Sequence, residues 1–312
     1  GLKARVGENE ITGRASLTQA RAGQRFDVEL ASRRLDLTPY LEKDAGAKPK
    51  KEAGKKFVFG DEPLSLDSLK GVDARLRFVA AEVKLGAESL KDVESTLTIA
   101  GGRLALEGRA KDGIEGTLES RLGLAPARGG AVELNLEVGA RSMRLGAPKG
   151  VSDPREVPGT NLEMRLRASG GSARQMASGA NGRVLVTQGP GKMEGGLLGM
   201  FGGDIIGELA GRLNPFAAKD PYTQVECTVA RVNIVEGQAT VKPMLMQSQK
   251  VTIVADGRID LHTEELTIAF NTRPRAGIGI SPGMFTNPFV GLAGTLASPR
   301  IGVGAKGLTA GA

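Results

Sequence analysis

The sequence predicts a mainly β chain, a long antiparallel meander with one side in water and one amphipathic, glycine-rich helix near residues 197–213. Three observations predict it. Apolar and polar residues alternate with period two over most of the chain, glycine-containing dipeptides separate the alternating runs, and only one long stretch has helical spacing. Successive side chains of a strand point to opposite faces, so period two gives one oily face and one charged face.

Leu2, Ala4 and Val6 open the pattern. Val72, Ala74, Leu76 and Phe78 then alternate with Asp73, Arg75 and Arg77. Val93, Ser95, Leu97 and Ile99 run into Gly101-Gly102, and Leu104 and Leu106 follow against Arg103, Glu107 and Arg109. Val132, Leu134, Leu136 and Val138 repeat the pattern, as do Leu162, Met164 and Leu166. Gly101-Gly102, Asp112-Gly113, Glu236-Gly237 and Asp256-Gly257 read as hairpin turns. In the helical stretch Leu198, Phe201, Ile205, Ile206, Leu209 and Leu213 gather on one side, with Asp204, Glu208 and Arg212 opposite. Asn214-Pro215 stops it. Gly195, Gly199, Gly203, Gly207 and Gly211 form a ridge that either packs on the chain's own sheet or meets a membrane interface. Residues 172–178 form a shorter helix candidate.

Two stretches break the alternation. Residues 43–60 hold Lys48, Lys50, Lys51, Lys55 and Lys56 with Pro49, Gly46 and Gly54. They read as a solvated mobile loop or as a basic contact for acidic headgroups. Residues 147–159, with Pro148, Pro154 and Pro158, read as a linker. The expected organisation is a β unit at 1–43, a basic loop at 44–62, a second β unit at 63–145, a Pro-rich linker at 146–160, and a C-terminal β unit at 161–312 carrying the helix.

The inventory of reactive side chains is sparse. One His and one Cys cannot build a typical zinc site or an internal disulfide. No Trp and two Tyr leave little for stacking bases, and a net charge of +7 over 312 residues selects no polyanion, so no nucleic-acid partner is expected. His262 reads as a surface residue at a turn. Cys227 reads as a core thiol in phase with Val225 and Val229. Glu264-Glu265, Asp256 and Asp260 read as carboxylates of a turn and a strand edge, not as an acid–base pair. The G-x-G-x-x-G match at 302–307 has only five residues after it, too few for a phosphate-binding helix. No catalytic set, cofactor or metal is expected. The chain begins at Gly1 without Met and reads as an excised piece of a longer protein. An oily strand face of this kind serves either as the core of a sandwich or as an open trough for apolar ligands, and composition leaves both standing.

Residues 31–41 (ASRRLDLTPYL) with the charged loop after them, residues 69–106, residues 255–275 (ADGRIDLHTEELTIAFNTRPR) and residues 291–303 (GLAGTLASPRIGV) resemble the AsmA family. The Gly-rich helix and the strand at 224–235 also fit. Residues 45–56 show no family pattern, and Ala255 stands where Gly is common. The resemblance implies a curved, repeating β-groove that carries phospholipid acyl chains between the inner and outer membranes of a Gram-negative bacterium and contributes to outer-membrane assembly. It implies a periplasmic body tethered by an N-terminal inner-membrane helix absent from this sequence, with the membranes met through missing or terminal segments. No catalytic residue carries over. The groove would be lined by Leu76, Phe78, Leu97, Ile99, Leu104, Leu106, Val132, Leu134, Leu136, Leu162, Met164 and Leu166, and capped by Leu198, Phe201, Ile205 and Leu209. The competing reading is a periplasmic β-scaffold that assists outer-membrane protein assembly, its oily face an ordinary core.

Overall fold

The structure is a computed structural model that describes residues 1–20, 23–40, 57–86, 88–144, 146, 151–193, 222–249, 251–275 and 290–303. It is mainly β. Seventeen strands among the described residues belong to one mixed sheet. The expected helix at 197–213, with Leu198, Phe201, Ile205 and Leu209, lies outside the described residues. The chain groups into two compact units, one of residues 1–55, 61–143 and 164–176, the other of residues 56–60, 144–163 and 177–312.

The first unit holds β1 (Leu2–Val6), β2 (Asn9–Ala20), β3 (Gly23–Asp36), β4 (Ala74–Leu85), β5 (Glu88–Ala100), β6 (Arg103–Lys111), β7 (Thr117–Pro126) and β8 (Val132–Met143). Consecutive strands pair antiparallel, as the alternation and short turns require. Gly101 and Gly102 both have positive φ (57° and 71°) and turn β5 into β6, the two-residue hairpin that matches strand twist. One pair departs from the expected meander. β3 and β4 run parallel, Val28 opposite Leu76 and Leu30 opposite Phe78. A parallel neighbour needs a crossover of a dozen or more residues, and residues 37–73, which include the basic stretch, supply it.

β9 (Thr160–Gly170) is divided between the units, and α1 (Ala173–Ser178) follows it where the short helix was expected. The Ser172 hydroxyl caps α1 by accepting from the Gln175 N–H at 3.2 Å.

The second unit holds β10 (Asn181–Gln188), β11 (Gly191–Met193), β12 (Thr223–Val235), β13 (Gln238–Ser248), β14 (Val251–Asp260), β15 (Glu265–Pro274), β16 (Val290–Thr295) and β17 (Ser298–Val303). Its antiparallel register stacks Val186, Ala230, Met244, Ala255 and Phe270 across β10 and β12–β15. Ala230, Met244, Ala255 and Phe270 form a buried apolar cluster with Val225, Val241, Met246, Val251 and Ile253, and Val186 packs half-buried against it.

Two expectations in this unit are corrected. Asp256-Gly257 is not a turn but lies inside β14, Gly257 opposite Ile268. A Cβ on Gly257 would stand 2.4 Å from the Thr267 carbonyl oxygen, so glycine is there for close backbone approach. The turn falls instead at residues 261–264, where Glu264 has φ of 59°. Cys227 is out of phase with Val225, because a bulge between them shifts the register. One extra residue moves Thr228 and Ala230 to the buried face and leaves Cys227 half-buried on the other. Glu264 ends that turn and is fully buried. Its carboxylate accepts from the N–H groups of Val58 and Phe59, the latter at 2.8 Å. The end of the expected basic loop, residues 57–60, is thereby held in place, while residues 41–56 lie outside the described residues.

Candidate functional site

The feature that sets the first unit apart is the state of its oily face. The register of β2–β8 aligns its apolar-phase side chains into rungs that cross seven strands. One rung is Ala15, Val28, Leu76, Leu97, Leu106, Leu122 and Leu136. The next, two residues nearer the 101–102 turn, is Leu17, Phe26, Ala74, Ile99, Leu104, Leu124 and Leu134. A third contains Leu30, Phe78, Ser95, Gly108, Ser120 and Val138. At the usual strand spacing of about 4.8 Å, each rung spans roughly 29 Å.

No residue of these three rungs is buried. Leu17 and Phe26 are 51% and 59% exposed, and Leu106 is 36% exposed. The equivalent face of the second unit differs, with Val225 at 0% and Phe270 at 3%. A side chain in a sandwich core would resemble the second set. Among the described residues, the side chains of these three rungs are exposed or half-buried, while Ala80, Ala110, Ala140 and Val132 on the same face are buried.

The opposite face of the first unit is wet and ion-paired. Arg14 meets Glu29 at 2.7 Å, Arg109 meets Glu94 at 2.6 Å, Lys91 meets Glu82 at 2.7 Å and Lys111 meets Asp92 at 2.9 Å. The hydrogen bond from Lys91 holds the Glu82 carboxyl below its ordinary range. Cross-strand pairs of opposite charge favour this register and leave the charged face nothing to gain from burial. A cavity of about 600 Å³ is lined by Asp92, Glu94, Arg109, Lys111 and Glu119 together with Ala80, Val93, Ala110 and Leu118, and its Arg109 and Lys111 are already engaged in those pairs.

Of the side chains expected to line a groove, Leu76, Leu97, Leu106 and Leu136 share one rung, Ile99, Leu104 and Leu134 the next, and Phe78 the third. Val132 lies on the same face but is 3% exposed, packed at the hairpin end. Leu162, Met164 and Leu166 are half-buried on β9, alternating with exposed Glu163, Arg165 and Arg167. The sequence reading passed over β2, β3 and β7. Phe26, Val28 and Leu30 alternate with Arg25, Asp27 and Glu29, and Leu118, Leu122 and Leu124 with Glu119, Arg121 and Gly123, so the same period would have found them.

His262 stands in the turn after β14, half-exposed, its Nδ1 3.1 Å from Asp260 Oδ1. A hydrogen bond from Gln238, with others from the Thr263 and His262 segment, keeps the Asp260 carboxyl below its usual range. Among the described residues no group of three His, Cys, Asp or Glu side chains could hold a metal ion. None of their helices is long and apolar enough to cross a membrane. No protein-family model matches the chain, and neither the curated proteins nor the solved structures provide a match.

Proposed function

We propose that this chain is a non-enzymatic lipid carrier whose first unit holds phospholipid acyl chains on its open aliphatic face. The observation that carries the reading is the set of rungs from Leu17 to Leu134 and from Ala15 to Leu136, none of whose side chains is buried. Each methylene kept from water contributes about 0.8 kcal/mol, so a chain lying along a rung gains from every strand it crosses. Interchangeable Leu, Ile and Val side chains hold hydrocarbon without selecting its head, which suits passage better than storage. Together with the AsmA resemblance, this supports a periplasmic bridge component, tethered at the inner membrane by an upstream segment, that moves phospholipid towards the outer membrane and serves its assembly.

The test is to extract the purified protein with organic solvent and search for co-purified phospholipid by mass spectrometry. Recovery of about one diacyl lipid or more per chain is expected, and a lipid-free extract from fully folded protein would overturn the reading. The scaffold alternative has one observation in its favour, the buried cluster of the second unit. That unit has an ordinary core, so lipid carriage is assigned to the first unit alone.

A further inference from the structure

The three rungs of the first unit contain no charged residue, and the next row on the same face, with Ala80, Ala110 and Ala140, is already buried. The open patch is therefore three rungs deep. Side chains on one face of a strand stand about 7 Å apart, so the patch covers roughly 600 Å². Side-chain size alternates across it. On β4 Ala74 and Phe78 flank Leu76 of the middle rung, and on β5 Ile99 and Ser95 flank Leu97. On β6 Leu104 and Gly108 flank Leu106, and on β7 Leu124 and Ser120 flank Leu122. Each of these four strands carries one large and one small residue at equal distances from the middle rung. A Cβ on Gly108 would come 2.9 Å from Ser120 Oγ, so the small side is held small there.

We infer that, free of lipid, two copies of this chain stack these faces about a two-fold axis running along the middle rung. Such an axis sets each strand over the same strand of the second copy and exchanges the two flanking rungs. Ile99, Leu104 and Leu124 of one copy then stand over Ser95, Gly108 and Ser120 of the other, and Phe78 over Ala74. Large against small is how facing sheets interdigitate at a spacing of about 10 Å. The same patch meets itself, as a two-fold interface requires, and no charge has to be stripped of water. Outside β4–β7 the match ends, since Phe26 and Leu30 are both large on β3, as are Leu134 and Val138 on β8. Stacked sheets that twist diverge towards their corners, where this mismatch falls. The two faces together bury about 1,200 Å², at the lower end of specific interfaces, which makes a reversible dimer. The inference rests on the acyl-carriage reading in one respect: lipid and the second copy claim the same face, so lipid releases the monomer.

The experiment is sedimentation velocity of the whole chain, stripped of lipid on a hydrophobic resin, over a range of concentrations. A monomer–dimer equilibrium with a Kd of about 1–100 μM is expected. Ser95→Leu sets large against large twice in each dimer and should weaken it at least about tenfold. Ser95→Leu with Ile99→Ser exchanges large and small on β5 and should restore the dimer to within about threefold of wild type. Dihexanoylphosphatidylcholine below its micellar concentration should return wild type to monomer. Circular dichroism checks that each variant is folded. Lipid-stripped wild type that is still monomeric at about 500 μM overturns the inference. So does a dimer that Ser95→Leu tightens or leaves alone, or that the exchange does not rescue. A dimer that obeys the exchange but ignores the phospholipid sinks the competition and leaves the two-fold stack. Phospholipid recovered from the protein as purified reports acyl carriage separately, so a lipid-free extract beside a sound dimer counts against that reading alone.

Discussion

Aspartate at Leu134 and aspartate at Ala255 should have opposite consequences, although both positions belong to the apolar phase of a strand. Leu134 is half-buried on the rung face, where a carboxylate can stay hydrated and costs folding roughly 1–2 kcal/mol. Leu134→Asp should remain folded by circular dichroism and lose co-purified phospholipid, because hydrocarbon passing it must strip the charge of water. Ala255 is 1% exposed between Met244 and Phe270. Ala255→Asp buries an unpaired charge at a cost of several kcal/mol, comparable with the stability of a whole domain, and should unfold or aggregate. An unfolded Leu134→Asp would mean the first face is also a core. Glu264 is the other residue whose role the structure reveals. Glu264→Ala removes the acceptor of the Val58 and Phe59 N–H groups at a part-buried site, about 1–3 kcal/mol, and should lower the thermal midpoint by several degrees, with Glu264→Gln falling between.

At the scale of elements, the crossover and the bulged strands carry the tests. Deleting residues 45–54 shortens the β3–β4 connection but leaves it well above the dozen residues a parallel crossover needs. Loop-closure entropy changes only by a few tenths of a kcal/mol, so the thermal midpoint should stay within about two degrees of wild type. A larger loss would mean that the segment is packed. Gly257→Ala should act in the other direction. The new methyl meets the Thr267 carbonyl oxygen at 2.4 Å and the Ile268 Cα at 2.6 Å, backbone atoms that cannot swing aside. A loss of about 1–3 kcal/mol in denaturant unfolding is expected. The strands themselves were legible, since period two is a property of neighbours along the chain. The bulge between Val225 and Cys227 was not, because an extra residue is defined only by the partner strand it fails to match.

For the whole molecule, pH offers a test that no single substitution gives. Glu10 is held below its ordinary 4.5 by hydrogen bonds from Lys3 and Arg5, and Glu82 by one from Lys91. Asp36 is held below 3.8 by Thr38 and Asp67 by Lys70. A carboxyl whose folded value is lowered adds stability that is fully present above its unfolded value and is lost as pH falls through the folded one. Stability should therefore be flat from pH 7 to about 5 and fall below about 4, and Glu82→Gln should soften the fall.

The sequence by itself determined that this chain is mainly β with one oily and one charged face, and that one His and one Cys cannot build a typical zinc site or an internal disulfide. Those are local properties, set by alternation and composition. Tertiary structure decided which faces became which. The same pattern gives an open row at Leu97 and Leu106 and a buried one at Val225 and Val251, because burial depends on what lies across the face, and no period encodes that. It also decided that β4 returns parallel to β3, and that Glu264 reaches residues some two hundred positions away. Pairing between distant segments is chosen by the closure of the whole sheet, where hydrogen bonds and packing outweigh local preference.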